Sequence, residues 1–209
     1  MAWVFCDGAG SELLFFVLKL APTIENRLEC SHMIGSVKIR PYNSEDRPGC
    51  LELFKSNIPK FFLPSELSDF NEFLAKYTQD VYWVLEDSGK ILACGGIGVR
   101  NGEGRLHYGI VANDRHRKGL GSRLIKFRLG KLIENSDVVA ISLDTSQHNP
   151  KFFNRFGFVE TSRKENAYGP GLHRYDMRWV LPVDAHERAL LLKNLRPILK
   201  TNCISSTSY

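Results

Sequence analysis

The chain has 209 residues, of which 43% are hydrophobic and 24% charged. At about 150 residues per domain this is one domain with an appendage, long enough to bury a core without disulfide or metal staples. The composition excludes wholesale disorder and collagen-like or low-complexity arrays. No apolar run reaches about 18 residues, so neither a transmembrane helix nor a membrane partner is expected. Lys and Arg number 28 against 23 Asp and Glu, a net charge of +5, which suits an anionic partner or simply a basic soluble protein. Cys6, Cys30, Cys50, Cys94 and Cys203 are scattered and never in CxxC spacing. That speaks against a disulfide framework and for a reducing, cytoplasmic setting. Cys30 and His32 have no second pair at ligand spacing, so no metal is expected. Residues Met1 to Asp7 lack the positive n-region of a signal peptide.

In chain order, residues 1–35 read as an N-terminal extension. An apolar clump, Leu13 to Val17, lies between Gly8–Gly10 and Pro22. It is a helix that packs on the body, a weak anchor, or a stretch upstream of a natural start at Met33. A regular pattern then begins. Val37 and Ile39 alternate with Lys38 and Arg40 until Pro41, a short strand. Ser44-Glu45-Asp46 reads as a helix start, with carboxylates at the positive end of the dipole, and Leu51, Phe54 and Ile58 continue at helical spacing. Ser65 reads as a second N-cap before Leu67, Phe70, Leu74 and Tyr77. Strands follow at Tyr82–Glu86 and Ile91–Val99, joined by the hairpin turn Asp87-Ser88-Gly89-Lys90, and at Arg105–Val111 after the Asn101-Gly102 turn. A glycine-opened helix carries Leu124, Ile125, Leu129, Leu132 and Ile133; a strand covers Val138–Leu143; Pro150–Arg155 is a short helix. Phe156–Thr161 and His173–Leu181 are strands, and Asn166–Gly171 reads as a mobile loop. Residues 183–209 supply a last helix with Ala189, Leu190, Leu192 and Leu195, ended by Pro197, and a frayed tail. That helix either packs on the body or builds a homodimer interface. The class is α/β (α+β): a mixed, mostly antiparallel central sheet flanked by helices.

The informative segment runs from Ile110 to Ile125: a strand, a short loop, and the glycine-rich turn Gly119-Leu120-Gly121 opening a helix. Such a turn aims several backbone N–H groups at one point, lets a ligand approach closely, and adds the helix dipole. Arg115, Arg117, Lys118, Arg123, Lys126, Arg128 and Lys131 surround it against one Asp114. This asks for a phosphate-rich ligand. The GxxxxGK[ST] spacing of a P-loop and the GxGxxG of a dinucleotide fold are both missing. The blander alternative is a tightened strand–helix turn with a solvated cationic face.

The pattern His116-Arg117-Lys118-Gly119-Leu120-Gly121, with Val111 before it, resembles the [Q/R]-x-x-G-x-[G/A] signature of the GNAT superfamily of acetyl-CoA-dependent N-acetyltransferases. His116 departs from Gln or Arg at the first position. A second segment, Asn149 to Phe158, looks like the family's Asn…[Y/F]…G-F region in compressed form. The element order agrees over about residues 36–182. The resemblance implies acetyl-CoA as cosubstrate, its pyrophosphate on the amides of Arg117, Lys118, Gly119, Leu120, Gly121 and Ser122. Arg117, Lys118 and Arg123 would meet the 3′-phosphate. The backbone at Ile110 and Val111 would hold the pantetheine arm like an added strand and polarise the thioester carbonyl. His116 belongs to the same loop. Asn149 would contact the pantetheine, be an N-cap before Pro150, or both.

The implied reaction is direct attack of a neutral amine on the thioester, which requires something to take the amine proton. The family's usual Tyr acid falls at Phe153, read here as a packing contact with coenzyme A. Tyr168, Tyr175 and His148 are the other groups that could serve as acid. Glu103, Arg105 and His107 share one strand face by alternation; that face resembles the one turned toward the acceptor, with His107 the candidate base. Glu103 is as readily a solvated turn residue, and His107 a structural one. Tyr108 points to the opposite face unless a bulge shifts it. Phe54, Phe61, Phe62, Phe70 and Phe73 suggest an apolar wall beside the acceptor, or core. The leading reading is an N-acetyltransferase of a small-molecule or protein amine. The alternatives are a non-catalytic coenzyme A-binding sensor, suggested by Phe153, and nucleic-acid binding by the basic 115–131 helix, which lacks the exposed aromatics of a stacking platform.

Overall fold

The computed structural model describes residues 37–76, 78 and 81–195. The apolar clump at 13–17, Cys6, Cys30, Cys203, Tyr77 and Pro197 therefore lie outside the described residues. Seven strands form one sheet: β1 (Lys38–Pro41), β2 (Tyr82–Asp87), β3 (Lys90–Arg100), β4 (Glu103–Val111), β5 (Ala140–Ser146), β6 (Val159–Gly169) and β7 (Leu172–Val180). Their order across the sheet is β1-β2-β3-β4-β5-β7-β6. Only β4 and β5 pair in parallel; the other pairs are antiparallel. The helices are α1 (Arg47–Ser56), α2 (Glu66–Lys76), α3 (Leu120–Ile133), α4 (Pro150–Asn154) and α5 (Ala185–Leu195).

The period-2 alternation of the strands divides the core between two faces. Val84, Cys94 and Ile110 pack under α1 and α2 with Phe54, Phe70 and Leu74. Their neighbours Leu85 and Ala93 pack with Leu120 and Leu124 of α3. Further along, Leu106, Ile141, Leu143, Phe158 and Met177 meet the α3 stripe Ile125, Leu129 and Leu132, with Leu192 and Leu195 of α5 packed against them. Helix α5 thus packs on the body. Both tight hairpins form as their sequences require: Ser88 and Gly89 have φ 52° and 80°, Asn101 and Gly102 52° and 75°, the pair of positive φ values a two-residue hairpin turn demands.

Several boundaries differ from expectation. The first α-helix stops at Ser56 rather than running through Ile58, because the residue before Pro59 is disfavoured in the α region. It is preceded by a single 3₁₀ turn, Ser44–Asp46, whose Asn43 and Asp46 form a reciprocal capping box. The fifth strand begins at Ala140 rather than Val138. The largest correction concerns 166–171: it is not a loop. Strand β6 continues to Gly169, which pairs with Leu172 across a two-residue turn. The arm is bulged between Glu160 and Ser162 and again between Lys164 and Gly169, with Asn166 at φ 52°. Its tip bends in until the Gly169 Cα lies beside Leu63 of the α1–α2 connection, where an added Cβ would come within 2.5 Å.

The position of the site follows from β4 and β5. They pair only over Glu103–Arg105 and Ala140–Ser142. Beyond Arg105 the two strands separate, and among the described residues no strand pairs with β4 on that side.

Candidate active site

The loop after β4 is built for close approach. Arg117 and Gly119 both take left-handed conformations, φ 61° and 85°. Two such residues within three fold the chain into a concave turn whose N–H groups converge with those of the first turn of α3. Holding a non-glycine residue there costs about 1–2 kcal/mol, strain that folds retain mainly at functional positions. Gly119 is the N-cap and no side chain caps it. Gly121 sits in ordinary helical backbone, and an added Cβ would meet only Phe152 Cζ at 3.6 Å and Val111 Cγ2 at 3.7 Å. The fold does not require glycine at 121, and the small residue leaves the turn open to close approach. Arg117 and Lys118 are exposed. Arg123 is half-buried, its Nε has no hydrogen-bond partner, and burial lowers its pKa. Together these groups fit a phosphate-bearing ligand. Arg128, counted with this cationic cluster on sequence grounds, does not belong to it: its side chain turns into the protein beneath β3 and β4 and is 4% exposed.

The side chains of Ile110 and Leu120 are buried in the core on opposite faces, so both positions offer only backbone to a ligand. The carbonyl of Val111 accepts from His116 Nε2 at 3.0 Å and from Asn57 Nδ2 at 2.9 Å. Asn57 also donates to Leu53 O at 2.8 Å and is buried, pinning the end of α1 to the end of β4. Asn57 escaped the sequence reading; a lone Asn at a helix end carries no other signal. Asn149 occupies the N-cap position of α4, but its side chain makes no cap hydrogen bond and donates instead to Thr145 Oγ1 at 3.3 Å. That corrects the capping alternative. The ring beside the loop is Phe152, not Phe153: Phe153 packs on Phe158 and the core behind. Ser122, half-buried in the first turn of α3, lies where its amide faces the same turn.

Strand β4 carries a bulge. Cys94 faces Ile110 while Gly96 faces His107, so β4 has one residue more than β3 in that interval. Tyr108 at the bulge has φ 35°. The bulge turns Tyr108 toward α2, where its ring meets Phe70 at 4.9 Å and Phe73 at 4.8 Å. His107 reaches the same Phe73, at 5.8 Å, so the two residues lie side by side. His107 is half-buried and its imidazole also covers Gly98. Burial, then the nearby Arg105 and Arg128, push its pKa down, with Asp144 opposing. It is therefore neutral at neutral pH. Burial raises the Tyr108 pKa, helped by Asp69, Glu66 and Asp144. Of the five phenylalanines, Phe54, Phe62 and Phe70 are stacked in the core. Phe73 lines the site, and Phe61 stands between His116 and His148 at 5.3 and 5.4 Å.

The structure separates Glu103 from this group. Four residues away from His107, roughly 13 Å along a strand, it pairs with Arg178 at 3.2 Å. Asp144, unnoticed in the sequence, is the hub of the face that carries Arg105. It binds Arg105, accepts from the Tyr168 hydroxyl at 2.6 Å, and lies near Arg174. Burial and the Asp144 carboxylate raise the Tyr168 pKa strongly. Tyr168 is thus a tether holding the curled hairpin to β5, and its proton is committed. Tyr175 is stacked under Arg163 on the other face. Among the described residues no three His, Cys, Asp or Glu converge to hold a metal ion.

Comparison with known proteins agrees with this geometry. A family model for the acetyltransferase (GNAT) domain matches residues 58–181. The ribosomal-protein-S18-alanine N-acetyltransferase of Escherichia coli superposes with a TM-score of 0.60 at 19% identity, covering 71% of this chain and 96% of that one. A Mycobacterium tuberculosis protein solved in complex with CoA gives 0.54 at 19%, covering 69% and 99%. A spermidine N-acetyltransferase chimera from Vibrio cholerae and the human enzyme gives 0.56 at 18%, covering 75% and 98%. No curated protein matches the chain by sequence. A mixed sheet that opens between β4 and β5 onto an uncapped, glycine-lined helix start is that of an acyltransferase, and the chain belongs to the GNAT acetyltransferase family.

Proposed function

We propose that the protein transfers an acetyl group from acetyl-CoA to a primary amine by direct attack in a ternary complex. The observation that carries this is the Arg117–Ser122 turn, with two left-handed residues and a Gly121 the fold does not need, placed at the end of a strand parted from its neighbour. Bound acetyl-CoA supplies an activated acetyl thioester, whose C–S bond breaks as the amine nitrogen forms the amide. The amides of Arg117 to Ser122 hold the phosphates by dipole and hydrogen bond, and Arg117, Lys118 and Arg123 add charge. The backbone of Ile110 and Val111 lies along the pantetheine arm, with Asn149 and Phe152 on its far side.

Only an uncharged amine carries the lone pair that attacks, so its proton must leave. The neutral His107 imidazole accepts it, directly or through water. The departing thiolate needs a proton in return. Tyr168 is bound to Asp144, and the family's tyrosine position holds Phe153; Tyr108, protonated and beside His107, is the hydroxyl we assign to that step. Glu66 and Asp144 make the approach favourable for an ammonium before it loses its proton. The acceptor is a small-molecule or protein amine: the solved structures it resembles include a ribosomal-protein-alanine N-acetyltransferase and a spermidine N-acetyltransferase. The second reading, a coenzyme A sensor, is favoured by Phe153 alone. Calorimetry with acetyl-CoA and dephospho-coenzyme A, followed by thiol-release screening of amines, separates the two. Micromolar binding weakened without the 3′-phosphate, with thiol release, supports the enzyme. Binding without release for any amine supports the sensor, and no binding refutes both.

A further inference from the structure

Helix α3 turns an apolar stripe to the sheet, Leu120, Leu124, Ile125, Leu129 and Leu132. One cation interrupts it. Arg128 falls four residues after Leu124, where the pattern calls for a leucine, and it is as buried as its apolar neighbours. Two glycines make room for it. An added Cβ at Gly95 would come within 2.9 Å of its Nη1, and one at Gly109 within 2.6 Å of its Nη2. Gly96 offers its carbonyl, while its Cα faces Tyr82. Nη1 donates to Gly96 O and to His107 O, both at 3.3 Å, and Nε has no partner. Among the described residues no carboxylate pairs with it. Burial pushes its pKa down to about 10, so it remains charged at neutral pH.

A buried guanidinium without a counter-ion is expensive. A leucine would fill this position with no such cost, and ordinary residues would replace the glycines. Its two acceptors identify its task. Gly96 and His107 face each other in the last regular pair before the bulge, next to the interval where the ladder is interrupted. The guanidinium joins the two carbonyls at that break. Gly109, inside the bulge, rests on it. The same charge lies under His107 from the α3 side.

We propose that Arg128 is a positioning residue for acetyl transfer, a buried cation that fixes the β4 bulge and so holds His107 and Tyr108 together on the acceptor face. This rests on the acetyltransferase reading for its purpose but not for its test. His107 is faced by Arg105 from its own strand, by Asp144 from β5 and by Arg128 from α3, with Phe73 of α2 uncharged. Arg105 is itself paired with Asp144, so Arg128 is the positive neighbour not offset by a carboxylate. Removing a cation makes an imidazole easier to protonate.

The test is an NMR titration of the His107 imidazole in the wild type, Arg128→Lys and Arg128→Met, with the Tyr108 and Gly109 amide resonances followed in the same spectra. Arg128→Met should raise the His107 midpoint by about half a pH unit or more and move both bulge amides. Arg128→Lys, which keeps the charge but loses the planar guanidinium that fills the space against Gly95 and Gly109, should leave the midpoint near wild type and still move the amides. Given an acceptor, both variants should lose tenfold or more in kcat with acetyl-CoA affinity held within threefold. An unchanged midpoint in Arg128→Met with unmoved bulge amides in both variants overturns the proposal. If the Met variant does not fold, unmoved amides and full kcat in Arg128→Lys overturn it equally. Failure of the wild type to bind acetyl-CoA would refute the acetyltransferase reading while leaving the bracing of the bulge to stand or fall on the spectra.

Discussion

Replacing Gly121 by Glu separates what the fold needs from what the ligand needs. The added Cβ finds Phe152 and Val111 at 3.6 and 3.7 Å, ordinary contact distances, so no neighbour has to move. Losing a helical glycine gains up to about 1 kcal/mol of propensity. A carboxylate in the first helical turn adds about 0.3–1 kcal/mol through the dipole. The variant should therefore unfold at the wild-type temperature or a few degrees above it. Binding should move the other way. Two like charges at about 4 Å repel by about 1 kcal/mol in bulk water and about 4 kcal/mol at a protein surface. Against a pyrophosphate with two charges, even the lower figure gives about 2 kcal/mol, or about thirtyfold in Kd. The side chain's bulk adds to that. Scanning calorimetry and acetyl-CoA titration on the same samples read both quantities, with Gly121→Ala as a control that keeps affinity within a few-fold. Wild-type affinity in the Glu variant, or a melting temperature lowered by more than about 5 °C, would refute the assignment of the loop.

Three further outcomes are expected. His107→Gln should lower kcat at least tenfold with acetyl-CoA affinity unchanged, and should abolish an acidic limb of the wild-type pH–rate profile lying below the ordinary imidazole value of about 6.5. The limb lies low because burial and Arg105 disfavour the charged ring; for the same reason acidification through that range destabilises the native state, which binds fewer protons than the unfolded chain. Gly98→Ala would place a Cβ 2.7 Å from His107 Nε2; the ring must rotate, so kcat falls while acetyl-CoA titration is unaffected. Asp46→Ala removes a buried carboxylate that accepts from Arg40 at 2.6 and 2.7 Å and from the Asn43 amide at 2.9 Å. It should cost about 2 kcal/mol, seen as a melting temperature lower by about 4–8 °C. In the wild type that contribution disappears below about pH 4, since the Arg40 and Asn43 bonds outweigh burial and hold this pKa below the usual carboxylate range.

Local signals were legible where local chemistry decides. Asp87-Ser88-Gly89-Lys90 and Asn101-Gly102 can hardly do other than turn, and the glycines of the α3 start announce a close approach. What depends on comparing two strands was not. Nothing along β4 marks an extra residue there; the bulge exists only relative to β3, and it alone moves Tyr108 to the side of His107. Asp144 falls just beyond the expected end of its strand at Leu143, and becomes a hub because β5 runs on to Ser146 and Arg105, Tyr168 and Arg174 arrive from three other strands. The 166–171 segment was misread because its glycines and polar residues suit a loop as well as a bulged arm with a tight turn. Arg128 was legible in principle: a cation in phase with the leucines of its helix is anomalous, and counting it with Arg123 and Lys126 as surface charge hid that.

The narrow contact between β4 and β5 divides the sheet into two blocks joined by a short suture. Backbone pairing supplies three residues on each strand. Side chains stitch across it: Arg105 to Asp144, Glu103 over β5 to Arg178, and the Ser142 hydroxyl to Gly104 O. The block of β1 to β4 carries the glycine turn and His107; the block of β5 to β7 carries Asp144 and the curled hairpin. A ligand lying along both edges acts as mortar, and tight binding must raise the resistance of the second block to opening by the full linkage energy. Amide exchange in β5, β6 and β7 should therefore slow far more on loading than exchange in β2 and β3.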